Sequence, residues 1–188
     1  MVNISKLKKV LITISILILI FNSCKKSTYS DHLNFIAEKF IGKSIIIPDN
    51  MCASFSMLNF KNFTIITYID SSECTSCSLE CIKRFSLYDF DQLYTEHLLV
   101  VRSVDEIKIK EILNNLFIDY PVIYDRNGEF KKLNKFLSES IFKTFVIDKC
   151  KSIVWLGSPI ETNKTWKLFN KMINNSISKK NWNMLDKS

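Results

Sequence analysis

Three cysteines, Cys74, Cys77 and Cys81, lie within eight positions of one another, and this spacing is what first indicates chemistry. Cys74 and Cys77 form a Cys-x-x-Cys pair, which can alternate between a dithiol and a disulfide. A thiol is a nucleophile only as its thiolate, and the pKa of a free cysteine is about 8.5. A redox role for the pair therefore requires surroundings that lower the pKa of one thiol.

The segments on either side of the pair can supply such surroundings. Residues 63–69 are mostly β-branched or aromatic, which predicts a buried strand. After the pair, apolar residues recur at helical spacing over 79–93, which predicts a helix. Cys74 then immediately precedes a helix, where unpaired backbone amides and the helix dipole stabilise a thiolate.

Spacing along this helix separates the roles of the three thiols. Residues four apart on a helix have Cβ atoms about 5–6 Å apart, whereas a disulfide needs about 3.8 Å. Cys77 and Cys81 therefore pair only if the helix distorts, and Cys74 and Cys77 pair easily. We expect Cys74 to attack a substrate sulfur and Cys77 to resolve the mixed disulfide. For Cys81 we expect a small buried hydrophobic side chain rather than a chemical role.

The first residues have the pattern of an export signal. Three lysines within the first nine residues precede an apolar run over 10–21. As a helix, this run is about 18 Å long, which is shorter than the ~30 Å hydrocarbon core of a membrane. Its length and its basic flank are therefore typical of a signal peptide.

The residues after this run resemble a bacterial lipoprotein signal, which implies that Cys24 is lipidated and becomes the first residue. Phe21 and Asn22 depart from the usual pattern, so an ordinary cleaved signal or an uncleaved anchor are the alternatives. A lipoprotein cysteine carries several acyl chains, which give stable anchoring. We therefore divide the chain into a lipoprotein signal peptide, a tether, one folded domain and a polar tail: residues 1–23, 24–32, 33–178 and 179–188.

Composition narrows the classes of function. The formal net charge of +7 includes three signal lysines and no signal acids, so about +4 remains, on lysines scattered among acids. No basic stripe interleaved with aromatic residues is present, and we expect no nucleic-acid partner. With Cys24 lipidated, an odd number of cysteines remains, so at least one thiol is free, bound to a partner or held by a metal. Cys52 and Cys150 either pair with each other or are free surface thiols.

The remaining periodicity predicts an α/β domain in which strands alternate with helices and end in a hairpin and a helix. Asp105 is expected at the start of a helix, and Asn127-Gly128 in a turn. We predict helices around residues 32–40, 77–94, 105–117, 133–137 and 166–177, and strands at 44–47, 63–69, 98–101, 120–124, 142–147 and 153–156.

This order of elements around the cysteine pair resembles the thioredoxin-like fold, a central mixed sheet flanked by helices on both faces. The segments 68–77 and 143–148 carry the resemblance, which extends over 41–177 and is to the TlpA-type thiol-disulfide oxidoreductase lipoproteins of the Gram-negative cell envelope. It implies catalysis by Cys74 and Cys77 without a cofactor, protein thiols or disulfides as substrates, and an unidentified redox partner. It also implies lipid anchoring, at the outer membrane and facing the periplasm.

Three positions depart from the pattern of this family. Lys143 stands where the family has a cis-proline, and we expect a trans peptide there because a non-proline cis bond costs about 3–4 kcal/mol. Glu73 replaces the usual aromatic residue before the first cysteine, and Tyr68 replaces the buried acid of some members. Glu73 should disfavour a thiolate at Cys74 and Lys143 should favour one. Both residues, with Cys81, are candidate modulators of the pair.

Two other functions stay open. The spacing of Cys77 and Cys81 resembles that of Sco-type copper chaperones, which share this fold, and thiolates suit Cu(I). The distal histidine of that family has no counterpart here, because His32 and His97 lie elsewhere in the sequence. We expect His97 at a helix end or on the surface. The remaining alternative is a redox-silent module that uses the fold as a docking platform.

Overall fold

A five-stranded mixed sheet is the centre of the fold. Its strands are β1 Phe63–Asp70, β2 Thr95–Arg102, β3 Val122–Tyr124, β4 Thr144–Asp148 and β5 Ile153–Leu156. Their spatial order is β3-β2-β1-β4-β5. β1, β2 and β3 run parallel, whereas β4 is antiparallel to both β1 and β5.

The computed structural model describes residues 31–58, 61–70, 75–88, 90 and 95–185, without the side chains of 75–77 and 177–185. The chain divides into two units, Met1–Phe40 and Ile41–Ser188. In the first unit, residues 31–40 are helical, as the sequence predicts. Within the described ranges, no helix combines the length and the apolar character needed to cross a membrane.

The second unit contains the sheet and five helices among its described residues. They are α1 Cys52–Ser56, α2 Thr75–Lys83, α3 Glu106–Asn115, α4 Glu129–Leu133 and α5 Asn163–Leu185. Turns of 3₁₀ helix lie at Asp49–Met51, Arg84–Leu87, Lys135–Ser138 and Ser140–Phe142. α5 continues to Leu185, past the start of the predicted polar tail at 179.

Helices cover both faces of the sheet. Successive side chains of a strand point to opposite faces. On one face, Ile65 and Ile69 of β1 belong to a buried cluster that also contains residues of α2, α3 and α5. On the other face, Tyr68 of β1 stacks on Phe130 of α4, which in turn stacks on Phe55 of α1. The prediction of a thioredoxin-like α/β fold is confirmed by this architecture.

The strand predicted at 44–47 is wrong. Only Ser44 forms a bridge there, to Ser152. The backbone of Ile46 pairs instead with the buried side chain of Asn134, which accepts from the Ile46 amide at 2.9 Å and donates to the Ile46 carbonyl at 2.7 Å. One side-chain amide therefore satisfies the backbone groups that a neighbouring strand would otherwise have bound.

The helix predicted over 77–94 is shorter than expected. α2 ends at Lys83, and a 3₁₀ turn follows. Aromatic residues beyond this point pack in pairs. The ring centroid of Phe90 lies 5.7 Å from that of Phe85 and 5.0 Å from that of Trp166. The recurrence of apolar residues after Lys83 therefore reflects aromatic packing and not a continuing helix.

The predicted turns and caps are confirmed. Asp105 caps α3, because its side chain accepts a hydrogen bond from the amide of Lys108 at 3.0 Å. Gly128 precedes α4 with φ +68°, a left-handed conformation that favours glycine, and a Cβ there would lie 3.0 Å from the Nε of Arg102, which would have to shift. The hairpin between β4 and β5 is closed by Asp148, whose Oδ1 accepts from two backbone amides of the turn.

Candidate active site

The cysteine pair lies in and beside the start of α2. β1 ends at Asp70 and α2 begins at Thr75, so the four residues between them include Glu73 and Cys74. Cys77 belongs to the first turn of α2, but its side chain, like the whole of Glu73 and Cys74, lies outside the described residues. The same holds for Cys24. The roles predicted for these four residues therefore stay predictions.

Lys143 lies beside the end of β1. It follows a 3₁₀ turn and precedes β4, and its carbonyl oxygen accepts a hydrogen bond from the amide of Tyr68 at 2.8 Å. One position further, Thr144 pairs with Thr67 in the antiparallel ladder. The peptide bond before Lys143 is trans, as the sequence predicts. The position at which the family has its proline is thus held against β1 by backbone hydrogen bonding.

A cavity of about 330 Å³ adjoins Lys143. Residues of β1, α2 and the start of β4 line it, and they include Thr67, Ser78, Cys81, Lys143 and Thr144. The structure therefore brings together two of the three predicted modulators, Lys143 and Cys81. Because Ser78 directly follows Cys77 in α2, this cavity begins within one helical turn of the backbone of Cys77.

Cys81 is a correction to the sequence-based expectation. Its side chain is exposed and its thiol is free, whereas we expected a buried hydrophobic residue. Among the described side chains of α2, the buried ones are instead Leu79 and Ile82, which face the sheet. Cys52 and Cys150 are likewise exposed free thiols, so the alternative in which they pair with each other is wrong.

The end of β1 is fixed by an ion-pair cluster. Asp70 is 2% exposed, and its two carboxylate oxygens lie 3.4 Å from Arg102 Nη1 and 2.9 Å from Lys131 Nζ. Burying a carboxylate is costly unless cations and hydrogen bonds satisfy it. Arg102 and Lys131 do so, and they tie the residue that precedes the cysteine loop to β2 and α4.

A second buried acid lies next to Tyr68. The Tyr68 hydroxyl donates to Asp125 Oδ2 at 3.1 Å, and Asp125 is 1% exposed. The other oxygen of this carboxylate, Oδ1, is buried without a hydrogen-bond partner. Burial, followed by the negative charge of Asp125, raises the pKa of Tyr68 far above its ordinary value of 10. Tyr68 therefore stays a neutral donor to Asp125 at any physiological pH.

His97 is buried in β2, which corrects the expectation that it lies at a helix end or on the surface. Its ring centroid lies 4.5 Å from that of Phe85 and 4.6 Å from that of Tyr120. Its Nε2 lies 2.9 Å from Thr67 Oγ1, and its Nδ1 is buried without a partner. Burial lowers the pKa of His97 to about 3, so the imidazole is neutral.

This burial predicts an acid-dependent loss of stability. The unfolded chain takes up a proton on His97 below about pH 6.5, whereas the folded chain does so only near pH 3. The contribution of His97 is therefore present above pH 6.5 and is lost as the pH falls towards 3, by up to about 1.4 kcal/mol per pH unit. Urea unfolding followed by tryptophan fluorescence at pH 7, 5 and 4 should show a shallower fall for His97→Phe. His32→Asn, which removes the exposed histidine, is the control, and equal slopes for all three proteins would contradict the assignment.

Comparison with known proteins gives structural similarity only. No protein-family model matches the sequence, and no curated protein sequence does. Among solved structures, a thiol:disulfide interchange protein from Bacteroides sp. aligns with a TM-score of 0.45 at 13% identity, over 61% of this chain and 74% of the other. The thioredoxin domain of a thiol-disulfide oxidoreductase from Bacteroides vulgatus aligns with a TM-score of 0.44 at 12% identity, over 60% of this chain and 79% of the other. A thioredoxin-like protein from Porphyromonas gingivalis aligns with a TM-score of 0.44 at 20% identity, over 61% of this chain and 74% of the other. The assignment of the fold rests on the sheet topology itself.

A metal site is not formed by the described residues. Within them, no group of three His, Cys, Asp or Glu side chains is placed to hold a metal ion. His97 is engaged with Thr67 inside the sheet. The alternative Cu(I) pair, Cys77 and Cys81, includes a side chain outside the described part, so it stays a prediction.

Sequence reasoning missed two buried polar residues that bond to β1. Asp125 and His97 bond to side chains 57 and 30 positions away, and local periodicity carries no information on such contacts. One signal was available for His97. It lies in the run Thr95–Arg102, on the same strand face as the apolar residues Leu99 and Val101, and a polar residue at a core-facing position of a strand requires a buried partner.

Proposed function

We propose that this chain is a cell-envelope thiol-disulfide oxidoreductase, tethered to the membrane through a lipidated Cys24. The observation that carries the proposal is the position of the Cys-x-x-Cys pair. Cys74 directly precedes Thr75, the first residue of a helix that follows a buried parallel strand. The first four amides of a helix have no partner within it, and they favour a thiolate at its start.

The proposed reaction exchanges two electrons between the pair and a protein disulfide. The Cys74 thiolate attacks one substrate sulfur, forms a mixed disulfide and releases the other substrate sulfur as a thiolate. The Cys77 thiolate then attacks the sulfur of Cys74, and the second substrate thiolate leaves. The substrate disulfide is thereby reduced to two thiols, and Cys74 and Cys77 become a disulfide. A dithiol redox partner resets the pair, and the same steps in reverse oxidise a substrate dithiol.

The surroundings of α2 support a reactive pair. Lys143 is held beside the end of β1, and it lines the cavity that adjoins the first turns of α2. An ammonium group there favours a thiolate, whereas Glu73, next to Cys74 in the chain, opposes one. Asp70 and its two cations fix the strand end from which the cysteine loop departs. Lipid anchoring places the domain at the Gram-negative outer membrane, facing the periplasm.

The redox state of the pair tests the proposal directly. The full-length protein is equilibrated in glutathione buffers of increasing oxidised fraction, its thiols are alkylated, and the Cys74–Cys77 peptide is weighed by mass spectrometry. We expect one cooperative two-electron transition from two alkylated thiols to none. Cys52 and Cys150, which are exposed single thiols, are internal controls and should show no such joint transition. A pair that stays fully alkylated in every buffer would overturn the proposal.

A further inference from the structure

Three side chains form a hydrogen-bonded row from β2 to the wall of the cavity. His97 Nε2 lies 2.9 Å from Thr67 Oγ1, and Thr67 Oγ1 lies 3.2 Å from Thr144 Oγ1. His97 and Thr67 are buried, and Thr144 is half-buried. Thr67 and Thr144 line the cavity that also holds Cys81 and Lys143. The row therefore connects a buried imidazole with the cavity beside α2.

Two arrangements of protons satisfy this row. If Nε2 of His97 carries the ring proton, it donates to Thr67, Thr67 donates to Thr144, and the hydroxyl proton of Thr144 is left for the cavity. If Nδ1 carries the ring proton, Thr67 donates to Nε2 and Thr144 donates to Thr67. In that case Thr144 offers the cavity only lone pairs. The position of one proton on His97 thus decides whether the cavity wall is a donor or an acceptor.

The unpartnered nitrogen of His97 decides between the two arrangements. Nδ1 is buried and has no hydrogen-bond partner. A proton on Nδ1 would be a buried N–H without an acceptor, and such orphaned donors are rarer in proteins than under-satisfied acceptors. The ring is neutral, because burial keeps its pKa near 3. The single proton therefore belongs on Nε2, and the row donates towards the cavity.

We propose that His97 is a positioning residue of this site, whose Nε2–H tautomer acts through Thr67 to direct the hydroxyl proton of Thr144 into the cavity beside α2. This inference rests on the proposed function, because the donor would serve the thiol chemistry that we propose for the start of α2. A hydroxyl that donates to a thiolate makes a charge-assisted hydrogen bond and favours the ionised thiol. The charged groups facing the same cavity are Lys143, Arg84 and Glu161.

The tautomer is tested without any assay of activity. The full-length chain contains only two histidines, so protein labelled with ¹⁵N-histidine gives two sets of ring-nitrogen signals, and His32→Asn leaves only those of His97. Two-bond proton–nitrogen correlation spectra distinguish a protonated from a bare ring nitrogen. We expect a protonated Nε2 and a bare Nδ1 at pH 7. A protonated Nδ1 would overturn the inference.

The effect on the site is tested by the pH profile of disulfide reduction. In Thr67→Val the row is broken, and the acidic limb of the profile for insulin reduction should move up by roughly half to one pH unit, with turnover at pH 7 about threefold to tenfold lower. Thr67→Ser keeps the hydroxyl and should retain the original profile. A merely structural role would lower stability without moving the limb, so unfolding in urea is measured for both variants.

The outcomes separate this inference from the proposed function. An unchanged chain that reduces no insulin removes the proposed function, while the tautomer measurement still decides the protonation of His97. An active unchanged chain whose pH limb is the same in Thr67→Val removes the inference and leaves the proposed function intact. A moved limb in Thr67→Val together with an unmoved limb in Thr67→Ser supports it.

Discussion

The Cys74→Ser variant is expected to reduce insulin disulfides at least about a hundredfold more slowly than the unchanged chain, and in practice at the rate of the buffer. A serine hydroxyl is not ionised at neutral pH, so it cannot replace the thiolate that begins the exchange. The measurement is the appearance of insulin turbidity in the presence of dithiothreitol, with the full-length protein in detergent. An undiminished rate in Cys74→Ser would exclude this thiol as the nucleophile.

The Cys77→Ser variant distinguishes the two thiols of the pair. Without a resolving thiol, the mixed disulfide between Cys74 and its substrate has no internal route to release. We therefore expect Cys77→Ser to accumulate this covalent complex, visible as a larger species on non-reducing gels that reductant removes. Cys81→Ser and Cys150→Ser each remove one exposed free thiol, and they should accumulate no complex. Equal trapping by all three variants would show that surface thiols, and not the pair, form the adduct.

The sequence predicts the central strand of this sheet well because that strand is buried on both faces. Every residue of β1 is buried, and such a strand needs an unbroken β-branched and aromatic run, which residues 63–69 provide. The segment 44–47 is also rich in isoleucine, but the backbone of Ile46 pairs with the side chain of Asn134. Both segments contain residues typical of a strand. The distant partner distinguishes them, and a local pattern does not contain it.

In the candidate site, too, local features could be predicted from the sequence, whereas contacts with distant residues could not. The position of the cysteine pair follows from adjacent segments of the chain. The structure has the strand where the sequence predicts it, and a helix begins at Thr75, although it ends at Lys83 rather than near residue 94. The buried polar groups that bond to the end of β1, and Lys143 beside it, come from other parts of the chain. Lys143 was found through its family position, whereas Asp125 and His97 become visible only when β3 and β2 are placed beside β1. The exposure of Cys81 depends on which face of α2 meets the sheet.

The two faces of β1 contact different polar groups. Its residues Thr67 and Tyr68 are neighbours in the chain but point to opposite faces. Thr67 bonds to the row that ends in the cavity, whereas Tyr68 reaches the buried carboxylate of Asp125. The position of Tyr68 depends on an aromatic stack, because Phe130 lies against it at 6.2 Å with the two rings inclined by 16°. This stack therefore contributes to the stability of the fold and also holds Tyr68 in position.

Phe130→Ala should lower the free energy of unfolding by about 3–5 kcal/mol. Phe130 is fully buried and stacks between Phe55, at 5.9 Å, and Tyr68. Removing its ring loses the transfer free energy of a phenylalanine and leaves a cavity that two rigid rings cannot fill. Because domains are stable by only about 5–15 kcal/mol, the loss is a large part of the total. Urea unfolding followed by tryptophan fluorescence measures it.

Phe117→Ala is the matched control, because it is the same chemical change at a side chain that is 91% exposed. Phe117 also has φ 55°, a left-handed conformation that alanine and phenylalanine tolerate about equally poorly, so the backbone term cancels. We expect its free energy of unfolding to stay within about 0.5 kcal/mol of the unchanged chain. If Phe130→Ala and Phe117→Ala differed by less than about 1 kcal/mol, the aromatic stack would not hold α4 against β1. The support that the stack gives to Tyr68, and through it to Asp125, would then be absent as well.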